Sequence, residues 1–203
     1  MEIILVTLLS YFSGSIPFGL ILTKLFFNKD IRKIGSGNIG ATNVLRTGNK
    51  ILAAGTLILD VFKGYIPVII TTQYFPALIE LSCITVFLGH VFPVWLKFKG
   101  GKGVATYLGV VAALSLQLSI LFIFTWLITS LIFKYSSLSS VFASLTVFVV
   151  NILRETVIKA DASLMDTLIP DSKILFIFFI LIIFTHRRNI LNLKNKTEHK
   201  IKI

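Results

Sequence analysis

Asn28-Lys-Asp-Ile-Arg-Lys-Ile-Gly-Ser-Gly-Asn-Ile-Gly-Ala-Thr-Asn-Val-Leu-Arg-Thr-Gly-Asn-Lys50 is a polar island between two hydrophobic segments. It concentrates Lys29, Arg32, Lys33, Arg46 and Lys50 with the glycines at 35, 37, 40 and 48. Glycine leaves backbone N–H groups free to approach a ligand and permits left-handed conformations. Backbone N–H groups together with fixed cations suit phosphate. Ser36, Asn38, Thr42 and Asn43 can add hydrogen bonds and Arg46 a charge-assisted contact. The competing reading is an interfacial loop whose cations meet anionic lipid headgroups.

Outward from this island the chain is built for a bilayer. Its 203 residues are 55% hydrophobic and 14% charged, with 18 phenylalanines, and the mean hydropathy is +0.89. That composition excludes a soluble domain and predicts one integral membrane domain over 1–203, all-α. The net charge of +11 fits cations gathered on one membrane side. With no separate basic domain or aromatic-basic module, nucleic acid is not an expected partner. Cys83 is the one cysteine and reads as a small packed hydrophobe. Glu2 stands where a secretory leader carries basic residues, so the first apolar segment reads as a span.

A span needs about 20 apolar residues. Residues 3–26, 51–74, 77–96, 139–153 and 174–185 each read as one. The 104–133 stretch is long for a single helix and is interrupted at Ser115-Leu-Gln-Leu-Ser119, which predicts a tight turn between two short spans. With seven spans, one set of alternate loops collects Lys29, Arg32, Lys33, Arg46 and Lys50; Lys97, Lys99 and Lys102; Lys134; and Arg187, Arg188, Lys194, Lys196, Lys200 and Lys202. The other set holds Arg154, Lys159 and Lys173, which share their loop with Glu155, Asp161, Asp166 and Asp171. The positive-inside rule then places the N-terminus outside and the C-terminus in the cytoplasm. The Gly-rich loop, the Gly100-Gly-Lys-Gly103 loop, a Ser136–Ser140 turn and the His186-Arg-Arg-Asn189 start of the tail would share the cytoplasmic face.

Gly35-Ser-Gly-Asn-Ile-Gly40 matches the dinucleotide pattern by letter only. That pattern acts between a strand and a helix of a βαβ unit, and here membrane spans flank it. Gly100-Gly-Lys-Gly103 lacks the Ser/Thr and the spacing of a P-loop. No clustered His/Cys/carboxylate set indicates a metal. Asp60 and Lys63 lie three apart on one helix face and are expected to neutralise each other. His90, near Pro93, either orients a ligand or satisfies a neighbouring carbonyl.

Six strings occur together, in order, from the first span to the tail: Gly14-Ser-Ile-Pro-Phe-Gly19, Gly35 to Arg46, Leu59-Asp-Val-Phe-Lys-Gly64, Gly89-His-Val-Phe-Pro93, Phe98-Lys-Gly-Gly-Lys-Gly-Val-Ala-Thr106 and His186-Arg-Arg-Asn-Ile190. On these the chain resembles the bacterial acyl-phosphate-dependent glycerol-3-phosphate acyltransferases. The departures are a longer polar segment at 154–173 and the serine-rich Ser136-Ser-Leu-Ser-Ser140.

The resemblance implies an enzyme of phospholipid synthesis in the bacterial inner membrane, with its active site on the cytoplasmic side. It would transfer an acyl group from acyl phosphate to the 1-hydroxyl of sn-glycerol 3-phosphate, giving lysophosphatidic acid and phosphate. No cofactor is implied, and the functional partner would be the enzyme that makes acyl phosphate. Ser36, Arg46, Lys102, Ser140, His186 and Asn189 would hold the glycerol phosphate, with Ser140 preferred over Ser137 by its spacing from Lys102. The glycine loops, including Gly35, Gly37, Gly101 and Gly103, would hold the acyl phosphate. Asn38, Thr42, Asn43 and His90 complete the expected substrate contacts, and the acyl chain would lie between spans.

Another acyltransferase class uses a His-x-x-x-x-Asp pair as general base. Here His90 meets Trp95 and His186 meets Leu191 five positions on, and no such position follows His199. The alternative from a different class is a transporter of an organic phosphate or lipid. That reading predicts polar groups near the midplane, and the inner spans over 104–150 carry almost no charge, which argues against it.

Overall fold

The computed structural model describes residues 1–160 and 170–201, without the side chains of 158–160. The described residues form helices and turns with no strand. In order the helices are α1 (Glu2–Ser15), α2 (Phe18–Phe27), α3 (Ala41–Leu45), α4 (Lys50–Tyr74), α5 (Ile79–Val91), α6 (Val104–Leu114), α7 (Leu116–Phe133), α8 (Ser136–Ala160), α9 (Ser172–Thr185) and α10 (Arg187–Lys194). Two compact units divide the chain, Met1–Ala113 and Leu114–Ile203.

Five segments are long and apolar enough to cross a membrane: Glu2–Phe27, Lys50–Tyr74, Pro76–Leu96, Leu116–Phe133 and Ser136–Val157. A sixth arises if α9 and α10, bent by 58°, count as one span. Side chains such as Ile58, Phe62 and Ile66 on α4, and Phe124, Ile128 and Leu131 on α7, are exposed, as expected of surfaces that meet lipid. The chain is therefore a membrane protein.

The predicted seven spans exceed this number at one place. Helix α6 has 11 residues, about 16 Å of helix against a hydrocarbon core of about 30 Å. The break before α7 falls where the sequence placed it but is narrower. Ser115 alone is extended, and its hydroxyl accepts from Leu118 N–H, so residues 116–119 are already helical. A second correction concerns Ser136–Ser140, which is the start of α8 rather than a turn. The turn is made by Lys134 in the left-handed region. Ser139 and Ser140 return their hydroxyls to the carbonyls of Tyr135 and Ser136 at 2.9 and 2.8 Å, which lets serines sit in a helix. Residues 161–169 of the polar segment expected over 154–173, with Asp161 and Asp166, lie outside the described residues.

In the first unit, small residues let the helices cross backbone to backbone, the usual packing where no water drives association. A Cβ at Gly14 would overlap the Val86 carbonyl of α5, and one at Gly89 the Tyr11 carbonyl of α1. Gly64 and Gly109 likewise bring α4 against α6, at Thr106 and Val61. Polar pairs tie the same crossings, with Ser10 and Ser82 hydroxyls 2.8 Å apart and Trp95 Nε1 donating to Ser15 Oγ at 2.8 Å. In the second unit, Asn151 of α8 donates to Pro170 O and Ser172 Oγ at 2.9 Å each, fixing the start of α9.

Candidate substrate site

The Gly-rich loop of the first unit is built around one buried side chain. Asn43, 2% exposed, donates from Nδ2 to the carbonyls of Ile31, Ile34 and Asn38 at 3.1, 2.9 and 2.7 Å. Its Oδ1 accepts from Ser36 N–H at 2.9 Å. A primary amide offers two hydrogens and a carbonyl oxygen, so these contacts occupy it fully within the loop. Ile31, Ile39 and Val44 bury beneath, packed with Leu20, Leu52 and Ala53. Asn43, expected to touch substrate, has its side-chain amide taken up in holding the loop.

The conformation of that loop requires glycine at Gly35 and Gly37, whose φ angles are +57° and +70°. Gly35 also lets the Arg46 stem pass, since an added Cβ would lie 3.0 Å from Arg46 Cδ. The loop thereby presents Ser36 and Arg46 exposed on its outer side, with Thr42 half-buried. Asn38 is turned to the loop, accepting from Gly40 N–H at 3.2 Å. Arg32 pairs with Asp30 at 2.6 Å. The guanidinium hydrogen bond outweighs desolvation and holds the Asp30 carboxyl down at about 2. That cation is therefore matched locally near neutral pH, unlike the ligand-facing role expected of Arg46.

The basic loop of the same unit folds back over the end of α5. Gly100 N–H donates to Val91 O and Gly101 N–H to His90 O, at 3.0 and 3.1 Å. A Cβ at Gly101 would overlap the His90 imidazole, and one at Gly103 the Phe87 ring. Gly103 also has φ +81°. His90, 4% exposed, is thus the floor on which Gly101 rests. Lys102 is half-buried between two buried glycines.

In the second unit, Ser137 and Asn189 meet on one carboxylate. Glu198 Oε1 accepts from Ser137 Oγ at 2.9 Å and Asn189 Nδ2 at 2.6 Å, and Oε2 from Asn192 Nδ2 at 3.4 Å. The tail is pinned alongside by Ile201 N–H donating to Lys134 O at 2.7 Å. Ser140, preferred from its spacing, lies elsewhere: it donates to Ser136 O and accepts from Trp126 Nε1 at 3.2 Å. The structure therefore gathers Ser137, not Ser140, with Asn189. His186 is 2% exposed at the α9–α10 bend. Its Nδ1 lies 2.8 Å from Ile182 O; a carbonyl can only accept, so Nδ1 carries a proton.

Glu198 escaped the sequence reading, although it is the only acid in the basic stretch from Arg187 to Lys202. Its removal by Glu198→Ala leaves the donors of Ser137 and Asn189 without their shared acceptor. Unsatisfied groups of this kind cost about 1–3 kcal/mol each. The variant is expected to melt several degrees lower and to lose roughly tenfold or more in turnover, read by thermal unfolding and an acyl-transfer assay.

The glycerol-3-phosphate acyltransferase family model matches residues 4–196. The chain belongs to that family. Relatives named glycerol-3-phosphate acyltransferase include one from Pelagibacter ubique, 51% identical over the full length of both chains. Another, from Mesorhizobium japonicum, is 46% identical over 98% of this chain and 96% of its own. Among solved structures, PlsY (YgiH), an integral membrane glycerol 3-phosphate acyltransferase in its glycerol 3-phosphate form, has TM-score 0.88 at 33% identity, covering 100% of this chain and 96% of that one. Its lysophosphatidic acid form has TM-score 0.85 over 98% and 95%. The membrane protein described here is thus an acyltransferase, and the phosphate reading of its loops acquires a specific chemistry.

Proposed function

We propose that the chain, as one membrane acyltransferase domain, acylates the 1-hydroxyl of sn-glycerol 3-phosphate with acyl phosphate as donor, releasing lysophosphatidic acid and phosphate. The observation that carries this reading is the Gly35–Arg46 loop, which exposes Ser36 and Arg46 from a frame held by Asn43. In the first unit Ser36, Arg46 and Lys102 are the candidate glycerol phosphate contacts; in the second, taken by itself, they are His186, Asn189 and a serine. Ser137 fills that serine role better than Ser140, because it keeps company with Asn189. Gly35 and Gly103 offer backbone to the donor phosphate, while Gly37 and Gly101, whose N–H groups donate to Ile34 O and His90 O, shape the loops, with Asn38, Thr42 and His90 in supporting places. Seven crossings, α6 being a short one, put the N-terminus outside and these loops in the cytoplasm of a bacterial inner membrane, where an enzyme making acyl phosphate supplies the donor.

The chemistry asks mainly for charge and orientation. Two phosphate dianions about 5 Å apart repel by roughly 13 kcal/mol in total at an effective dielectric of about 20, so cations at both phosphates are required. The donor is already activated. The glycerol oxygen attacks the acyl carbonyl carbon, the bond from that carbon to the phosphate oxygen breaks, and phosphate departs with the pair. Positioning and stabilisation of the developing negative charge supply the catalysis. A phosphate oxygen accepts the hydroxyl proton, and His186 orients the hydroxyl. The rate should accordingly show no limb set by an enzyme group at about pH 6–7. Such a limb, abolished in His186→Gln with binding intact, would make His186 the base.

The deciding assay gives detergent-purified protein glycerol 3-phosphate with palmitoyl phosphate, then with palmitoyl-CoA, in chelator, and follows phosphate and lysophosphatidic acid. Turnover with palmitoyl phosphate alone, lost in Lys102→Ala, is the expected result. Turnover only with the thioester reverses the donor, and none with either in folded protein favours a transporter.

A further inference from the structure

Two prolines interrupt neighbouring helices of the first unit, and each helix supplies the hydrogen bond that the other needs. Pro17 ends α1, leaving Ile16 extended at the break and its carbonyl off the helical ladder. Lys63 Nζ of α4 donates to that carbonyl at 2.7 Å, and Phe18 N–H approaches it at 3.1 Å. Pro67 lies inside α4 and has no N–H for the Lys63 carbonyl. Ser13 Oγ of α1 donates there at 2.9 Å. The ammonium also pairs with Asp60 at 2.7 Å, both side chains 2% exposed, and stands 5.7 Å from the Phe18 ring centre.

This junction leads directly to the Gly-rich loop. Helix α2 leaves the break and within two residues of Pro17 lays Gly19 against the Ile39 carbonyl, where a Cβ would overlap it and stand 3.0 Å from Thr56 Cγ2 of α4. The direction of α2, set at Ile16, therefore fixes where Ile39 and its loop sit. A purely structural pair would not need charge, since a buried ion pair is often replaced by apolar side chains of similar volume without loss of stability. What the ammonium supplies is a donor at the Ile16 carbonyl.

We propose that Lys63, held by Asp60, is a positioning residue for acyl transfer: it fixes the α1–α2 break and through Gly19 the place of the Gly35–Gly40 loop. The proposal rests on the reading that this loop serves glycerol 3-phosphate. The test compares Lys63→Met, the double variant Asp60→Leu/Lys63→Met, and Arg46→Ala, reading thermal unfolding together with kcat and KM for glycerol 3-phosphate. The double variant should unfold within about 4 °C of the parent, a change of about 1 kcal/mol at this size. Its KM should nevertheless rise on the order of tenfold, as misplacement of a binding group predicts, and Lys63→Met should show at least the same rise. A parental KM and kcat in the double variant overturns the proposal, with the loop assignment standing if Arg46→Ala raises KM. A double variant that does not fold also overturns it, by making the pair structural. No rise in KM with Arg46→Ala overturns the loop assignment and this proposal with it.

Discussion

Arg46→Ala is expected to lower kcat/KM for glycerol 3-phosphate by roughly 10²- to 10³-fold, the loss typical of removing one charge-stabilising donor. The guanidinium is a planar fork of donors suited to phosphate oxygens. The Arg46 stem runs beside Gly35, in a loop that leaves the side chain exposed, so its loss should leave the fold within about 0.5 kcal/mol of the parent. Arg46→Lys retains charge without the fork and should recover part of the activity, about tenfold below the parent. Steady-state kinetics at several glycerol 3-phosphate concentrations decide it. Parental kinetics in the alanine variant would remove Arg46 from the site.

Asn43→Ala should be as damaging for a different reason. The substitution strips donors from the carbonyls of Ile31, Ile34 and Asn38 and the acceptor from Ser36 N–H. At about 1–3 kcal/mol for each group left unsatisfied, partial hydration still leaves on the order of 3 kcal/mol of local destabilisation. That is enough to open a loop rich in glycine while the helices remain. Activity is expected to fall by at least about 10²-fold, with hydrogen exchange accelerated over residues 31–43 and little change in helical circular dichroism. Asn43→Asp should not rescue it, because a carboxylate keeps the acceptor for Ser36 but turns negative charge on three carbonyl oxygens. Full activity in either variant would show that the loop is held some other way.

These two residues also show how far the sequence carried. Arg46 reads from the sequence as a candidate phosphate contact, because a cation in a glycine-rich loop needs no partner elsewhere to be noticed, and the structure leaves its side chain exposed. Asn43 looked like a second contact of the same kind, and only the turn of the chain through Ile31, Ile34 and Asn38 directs its amide inward. Asp60 and Lys63 were legible as a pair, being one helical turn apart, while the Ile16 carbonyl that the lysine serves lies 47 residues away. The break between α6 and α7 was legible in Ser115-Leu-Gln-Leu-Ser119, and it leaves α6 only 11 residues.

By itself the sequence determined that the chain is helical and membrane-embedded, where its polar islands fall, and which family strings it carries. Those are properties of composition, local period and residue type, read within about 20 positions. The tertiary structure decided which polar side chains stay exposed and which turn into the protein. Ser137 rather than Ser140 joins Asn189 because Glu198, 61 residues from Ser137, brings its carboxylate there. Residue type states what a group can bond to; the direction in which it points is set by backbone paths that meet only after folding.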